Sequence, residues 1–83
     1  MLKISNKRGE HMIDYTPFWK TLDKSEENWY TLTTKYKLSH STLHRLKHGK
    51  DVSMKTINDL CRILNCNVQD ICQYIPSESD QPL

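Results

Sequence analysis

The sequence predicts a small all-α domain built from five short helices. Three observations support this fold class. Large apolar side chains recur three and four positions apart in successive segments, which is the period of an amphipathic helix. Serine, asparagine and proline stand at the boundaries of these segments, where helices commonly begin and end. No segment sustains the alternation of apolar and polar side chains that is typical of a half-buried strand.

The first predicted helix begins at Thr16 and Pro17. A threonine hydroxyl can cap a helix, and proline is tolerated in the first turn because its missing N–H would have no partner there. A polar run over residues 23–28 ends this helix. Its apolar face consists of Phe18, Trp19 and Leu22.

The second and third predicted helices are short and closely connected. The apolar face of the second helix consists of Trp29, Leu32, Thr33 and Tyr36, which keep helical spacing. Ser39 can cap a third helix over residues 39–48. Gly49 suits the left-handed backbone position that commonly ends a helix.

The fourth helix is predicted to begin after Ser53 and to end at Asn65. Its apolar face consists of Met54, Ile57, Leu60, Cys61 and Leu64. A fifth helix is predicted to open at Asn67 and to stop before Pro76. Its apolar face consists of Val68, Ile71, Cys72 and Ile75. The folded domain is thus predicted over residues 13–75.

The two ends of the chain lack this periodicity. Residues 1–12 form either a disordered basic arm or a translated leader. In the second case Met12 is the native start, because codons for residues 8–10 can spell a bacterial ribosome-binding site. Residues 76–83 are polar and acidic, and a disordered tail is predicted there.

The composition excludes several classes of protein. No apolar stretch reaches the roughly 18 residues of a membrane span, and the polar N-terminus is not a secretory signal, so we expect a cytoplasmic protein. The three cysteines are odd in number and lack CxxC spacing, which favours reduced thiols that pack the core. No phosphate-binding loop, nucleophile elbow or HExxH motif is present, so we expect neither an enzyme nor a cofactor.

The charges are unevenly distributed. The chain has twelve basic and ten acidic residues, but no acid falls within residues 28–50. This acid-free window holds Lys35, Lys37, Arg45, Lys47 and Lys50, together with His40, His44 and His48. Such a local excess of cations is typical of a nucleic-acid-binding surface, although a solvated cationic face would show the same pattern.

Helix geometry separates the two faces of the third helix. Leu43 and Leu46 point together towards the core. The opposite face carries Ser41, His44, Arg45 and His48, with His40 at the N-terminal edge. An α-helix fits the DNA major groove, where arginine, serine and histidine can bond to base edges. We therefore expect base contacts from His40, Ser41, His44 and Arg45, and phosphate contacts from Lys35, Lys37, Lys47, His48 and Lys50.

The three histidines also recur every four residues, and such a pair can chelate zinc or nickel. No carboxylate or cysteine lies within the acid-free window to complete a site. Histidines that face solvent or DNA are therefore favoured, and no metal is expected.

Residues 29–49 resemble the helix-turn-helix of Cro/CI-type (lambda-repressor-like) regulators. The resemblance extends over residues 13–75 and is carried by the segments FWKTL, LSHSTLHRLKHGK and TINDLCRILNCNVQDI. It implies a compact five-helix DNA-binding domain in which helices 2 and 3 form the motif. It also implies that His40 and Ser41 lead the recognition helix, that Arg45 contacts base or phosphate one turn later, and that Trp29 contacts a phosphate.

Two positions depart from the family pattern. Thr33 stands where a small alanine is usual, so its hydroxyl needs a partner, for which a carbonyl of its own helix is expected. Lys37 replaces the usual turn glycine, so its backbone is expected to be left-handed.

The resemblance further implies a bacterial or phage-encoded repressor that binds an inverted repeat of duplex DNA as a homodimer. Val68, Tyr74 and Ile75 are the candidate dimer contacts, and packing within the monomer is their alternative role. The alternative function is a protein-interaction module of the same fold, such as an antirepressor or an antitoxin-like partner.

Overall fold

The computed structural model describes residues 13–76, which contain four α-helices and one two-stranded sheet. The elements in chain order are β1 (Ile13–Asp14), α1 (Thr16–Lys24), α2 (Trp29–Thr34), α3 (His40–Lys47), α4 (Met54–Leu64), a 3₁₀ turn (Val68–Asp70) and β2 (Gln73–Tyr74). The mostly helical class is confirmed, but the fifth helix is not. The expected N-terminal arm or leader, and the expected tail beyond Pro76, lie outside the described residues.

The helices enclose one apolar core. Every α-helix contributes to it, and so does the segment that follows the 3₁₀ turn. The buried side chains are Tyr15, Phe18, Leu22, Leu32, Leu43, Leu46, Ile57, Leu60 and Ile71. The inward positions predicted for Leu43 and Leu46 are confirmed, at 0% and 1% exposure. The three cysteines are half-buried and pack against this core, as predicted, and they form no disulfide with one another.

The predicted caps of α3 and α4 are confirmed. The hydroxyl of Ser39 accepts a hydrogen bond from the amide of Thr42 at 3.0 Å, and Ser53 accepts one from Thr56 at 3.1 Å. The left-handed residues that end the two helices are Gly49, with φ 69°, and Asn65, with φ 53°. These local signals set the length of both helices.

The beginnings of α1 and α2 differ from expectation. Thr16 is already helical, and its hydroxyl donates to the carboxylate of Asp14 at 2.9 Å instead of capping α1. The cap residue is Tyr15, whose side chain makes no capping hydrogen bond. At α2 the sequence-based prediction missed a capping box: the Asn28 side chain accepts from the Thr31 amide, and the Thr31 hydroxyl accepts from the Asn28 amide.

The predicted fifth helix is wrong, and contacts with α1 explain why. To continue past Ile71, the helix would need the carbonyls of Asp70 and Ile71 for amides four residues further on. In the structure Thr21 donates its hydroxyl to the Asp70 carbonyl at 2.8 Å. The Phe18 amide donates to the Ile71 carbonyl at 3.1 Å. The apolar period therefore yields a single 3₁₀ turn with Ile71 in the core.

The chain after this turn is extended and pairs with the segment before α1. Strands β1 and β2 are antiparallel, with Ile13 opposite Tyr74 and Asp14 opposite Gln73. The Gln73 amide also donates to the Asp14 carboxylate at 2.9 Å. The sequence analysis predicted no strand, and this prediction is wrong. Strands of two residues are too short to show an alternation of apolar and polar side chains.

Candidate nucleic-acid interface

The α2–turn–α3 unit is anchored through its leucines. Leu32, Leu43 and Leu46 lie in the core, which holds both helices against α1 and α4. Between the helices Lys37 has φ 61°, which confirms the left-handed backbone predicted at this position. The amide of Leu38 then donates to the Leu32 carbonyl at 3.0 Å, which closes the turn.

The outward face of α3 carries the residues predicted to read bases. His40, Ser41, His44 and Arg45 are all exposed, as are Lys47 and His48 near the C-terminal end. None of them packs in the core, because the buried face of α3 is occupied by leucines. The structure therefore brings the four candidate base-contacting residues together on the exposed face of one helix. Their contacts with DNA remain a prediction.

The cations of α3 lack carboxylate partners in the described part of the chain. The ion pairs found within residues 13–76 involve Glu27 and Asp59, and neither acid contacts Arg45 or Lys47. Lys37 and Lys50 are likewise exposed and outside these pairs. The positive charge of this surface is consequently available to a polyanion.

Lys35 differs from the other candidate phosphate contacts. Its ammonium lies 3.8 Å from the Glu27 carboxylate and 5.2 Å from the centroid of the Tyr36 ring. The pKa of Lys35 is raised, first by a hydrogen bond with Tyr36 and then by the charge of Glu27. Tyr36 also donates its hydroxyl to Glu27 at 3.1 Å. Lys35 is therefore a cation whose charge is already partly compensated.

Trp29 and Thr33, two α2 residues discussed in the sequence analysis, have partners within the protein. The indole of Trp29 is half-buried and stacks on Trp19 of α1, with ring centroids 6.1 Å apart and planes 18° apart. The Thr33 hydroxyl donates to the Tyr30 carbonyl at 2.9 Å, which confirms the intrahelical partner expected for it. Trp29 thus has a packing role besides its predicted phosphate contact.

Tyr30 is an exposed residue of α2 that the sequence-based site predictions omitted. The residue is 72% exposed, and it lies in the helix-turn-helix and in the acid-free window. The signal was present in the sequence, since Tyr30 falls outside the apolar period that begins at Trp29.

The histidines of α3 do not converge as a set of three. The rings of His44 and His48 lie side by side, with centroids 4.2 Å apart. Residues 13–76 contain no group of three or more histidine, cysteine, aspartate or glutamate side chains arranged to hold a metal ion.

The candidate dimer residues lie outside the core. Val68, Tyr74 and Ile75 are 49%, 55% and 46% exposed. Ile13, which the sequence-based prediction omitted, is opposite Tyr74 in the sheet and is 41% exposed. These apolar side chains therefore remain partly accessible to another molecule.

In the described part of the chain, no helix has the length and apolar character needed to cross a membrane.

Comparison with known proteins gives two matches. A family model described as the Cro/C1-type HTH DNA-binding domain matches residues 3–77. The crystal structure of the transcriptional regulator VanUg superposes with a TM-score of 0.71 at 27% sequence identity, covering 80% of this chain and 88% of that one. No curated protein sequence matches the chain. The family match confirms the resemblance carried by residues 13–75, and neither description is that of an enzyme. The chain belongs to the family of Cro/C1-type helix-turn-helix DNA-binding domains.

Proposed function

We propose that this protein is a sequence-specific transcriptional repressor that places α3 in the major groove of duplex DNA. One observation carries the proposal. The outward face of α3 exposes hydrogen-bond donors and cations that have no carboxylate partner among residues 13–76. Family membership supports DNA as the partner, and the fold shared with a transcriptional regulator supports a regulatory role.

Base reading is assigned to the N-terminal and central parts of α3. Arg45 can donate two hydrogen bonds to one guanine, which is the commonest specific contact in the major groove. His40 and Ser41 lie at the start of the helix, where a short serine side chain lets the backbone approach the bases closely. His44 lies one turn after His40 on the same exposed face.

Phosphate contacts surround this face and supply affinity without sequence information. Lys37 lies in the turn before α3, whereas Lys47, His48 and Lys50 lie at the end of α3. Lys35 and Trp29 complete the proposed set, which is Trp29, Lys35, Lys37, Lys47, His48 and Lys50. We expect Lys35 and Trp29 to contribute less to DNA affinity. Lys35 is already ion-paired with Glu27, and the Trp29 ring is already stacked on Trp19.

The proposed assembly is a homodimer on an inverted repeat. Two copies of α3 would then enter successive major grooves about 34 Å apart. Val68, Tyr74 and Ile75 are the proposed dimer contacts because they are apolar and exposed. Occupation of a promoter by this dimer would block transcription.

The proposal is tested by fluorescence anisotropy with a duplex from upstream of the gene and a scrambled duplex of equal composition. Arg45→Ala is compared with Arg62→Ala, because Arg62 is an exposed arginine of α4 outside the acid-free window. We expect Arg45→Ala to lose about 1–3 kcal/mol of binding to the upstream duplex, and with it the preference over the scrambled duplex. Arg62→Ala should keep both.

Equal losses in the two variants would contradict base reading by α3. No binding to either duplex at low salt would contradict DNA binding itself and would favour the protein-interaction module.

A further inference from the structure

The end of α4 brings two cysteines together. Asn65 adopts a left-handed backbone, and the amide of Cys66 turns back to donate to the Cys61 carbonyl at 3.0 Å. This bond is typical of a helix end at which the two residues it joins also pack their side chains together. The two side chains are also close enough for Cys61 to be one of the causes that raise the pKa of Cys66.

Solvent reaches this pair through a groove between α4 and the 3₁₀ turn. The groove is lined by both cysteines and by apolar residues that include Met54 and Val68. Cys72 is half-buried and does not line this groove. The three cysteines are therefore not equivalent, since Cys61 and Cys66 share the helix-end contact and the groove, whereas Cys72 takes part in neither.

We propose that Cys61 and Cys66 are a modification site at which a low-molecular-weight disulfide, such as oxidised glutathione, forms a reversible intramolecular disulfide. The thiolate of Cys61 attacks one sulfur of the reagent, which forms a mixed disulfide and releases the first glutathione thiolate. The thiolate of Cys66 then attacks the Cys61 sulfur and releases the second. Two protein thiols are oxidised, one glutathione disulfide is reduced, and the two protons pass to the glutathione thiolates.

The surroundings of the thiols support this order of attack. Burial, the negative potential of Cys61 and Asp70, and the hydrogen bond with Cys61 raise the pKa of Cys66 to about 11. Burial, followed by Cys61, also raises the pKa of Cys72. Because the thiolate is the nucleophile, these raised pKa values disfavour a first attack by Cys66 or Cys72. We therefore assign the first attack to Cys61. Once Cys61 is a mixed disulfide it carries no negative charge, so one cause of the raised pKa of Cys66 is removed before the second attack.

The full-length folded protein is incubated with oxidised glutathione, and its free thiols are then blocked for mass spectrometry. Trypsin cuts after Arg62, and an aspartate-directed protease cuts before Asp70, so each cysteine falls in a separate peptide. We expect the protein to lose two hydrogen atoms and its Cys61 and Cys66 peptides to be joined. Cys72→Ser should give the same product.

The remaining variants test the order. Cys66→Ser should accumulate one glutathione on Cys61, whereas Cys61→Ser should form neither the adduct nor an internal link. A link to Cys72, glutathione spread over all three thiols, or a wild-type protein that stays fully reduced would each overturn the proposal. The wild-type and Cys72→Ser maps decide the matter even if the other variants do not fold.

Discussion

Helices α3 and α4 are built on the same plan but present different surfaces. Each begins with a serine whose hydroxyl accepts the amide of a threonine three residues later. Each ends with a left-handed residue, after which an amide bonds back to the helix at 2.8 Å in α3 and 3.0 Å in α4. The buried face of each helix consists of large aliphatic side chains.

The two helices differ in the charges on their exposed faces. On α4, Asp59 accepts from Lys55 at 3.0 Å and from Arg62 at 3.2 Å, so its cations are paired. The Lys55 hydrogen bond, followed by the Arg62 hydrogen bond and the charges of both, lowers the pKa of Asp59. The corresponding face of α3 has arginine, lysine and histidine with no acid.

The residues that stabilise the fold and the residues proposed to bind DNA therefore occupy separate positions of α3. The caps and the buried faces stabilise α3 and α4 in the same way. The two helices differ in their outward side chains, which form ion pairs on α4 and are proposed to bind a polyanion on α3. Substitutions at the shared positions should therefore affect both helices alike, and substitutions at the outward positions should not.

The largest expected effect is on the shared buried face. Leu46→Ala in α3 and Leu60→Ala in α4 each remove a side chain that is almost completely buried, at 1% and 0% exposure. Each should lower the free energy of unfolding by about 2–5 kcal/mol through lost burial and the cavity left behind. Urea denaturation measures this loss. Arg45→Ala is the control, and a similar loss in that variant would contradict the separation of faces.

A smaller effect is expected where the helices end. Gly49 has φ 69°, and apart from its two chain neighbours no residue has an atom within 4 Å of the position that a Cβ would occupy, so only backbone strain opposes a side chain there. Gly49→Ala should therefore cost about 1–2 kcal/mol. Gly49→Asn copies the residue that ends α4 and should cost less, because asparagine tolerates this conformation. Thermal denaturation of both variants checks the order, and equal losses would argue against strain as the cause.

The smallest expected effect is at the two serine caps. Ser39→Ala and Ser53→Ala each leave one amide without its partner and should each lower the free energy of unfolding by about 1 kcal/mol. Chemical denaturation of the two variants measures the loss. Replacement by threonine or aspartate, which also cap, should restore most of it. A loss confined to one of the helices would contradict their common construction.

The ends of α3 and α4 and the exposed face of α3 could be predicted because they depend on residues close together in the sequence. Ser39, Ser53 and Asn65 act on backbone groups within a few residues, so their roles follow from the sequence. The exposed face of α3 follows from helical period in the same way. The partner of Thr33 and the backbone of Lys37 could be predicted because the family resemblance located the turn.

The region after α4 could not be predicted because its determinants are distant in sequence. Its apolar period is helical, but Thr21 and Phe18 bind the carbonyls that a fifth helix would use. The pairing of Gln73 with Asp14 joins residues 59 positions apart. The Glu27 partner of Lys35 was also missed, since Glu27 lies just outside the acid-free window.

The most direct test of the central claim is the salt dependence of DNA binding in Lys47→Gln and Lys55→Gln. Each variant removes one exposed lysine, from the unpaired face of α3 or from the ion-paired face of α4. If α3 faces the phosphates, Lys47→Gln should weaken binding to every duplex and reduce the slope of log K against log salt by about 1. Lys55→Gln should leave the slope unchanged. A reduced slope in Lys55→Gln together with an unchanged slope in Lys47→Gln would contradict the assignment of α3 as the DNA-binding helix.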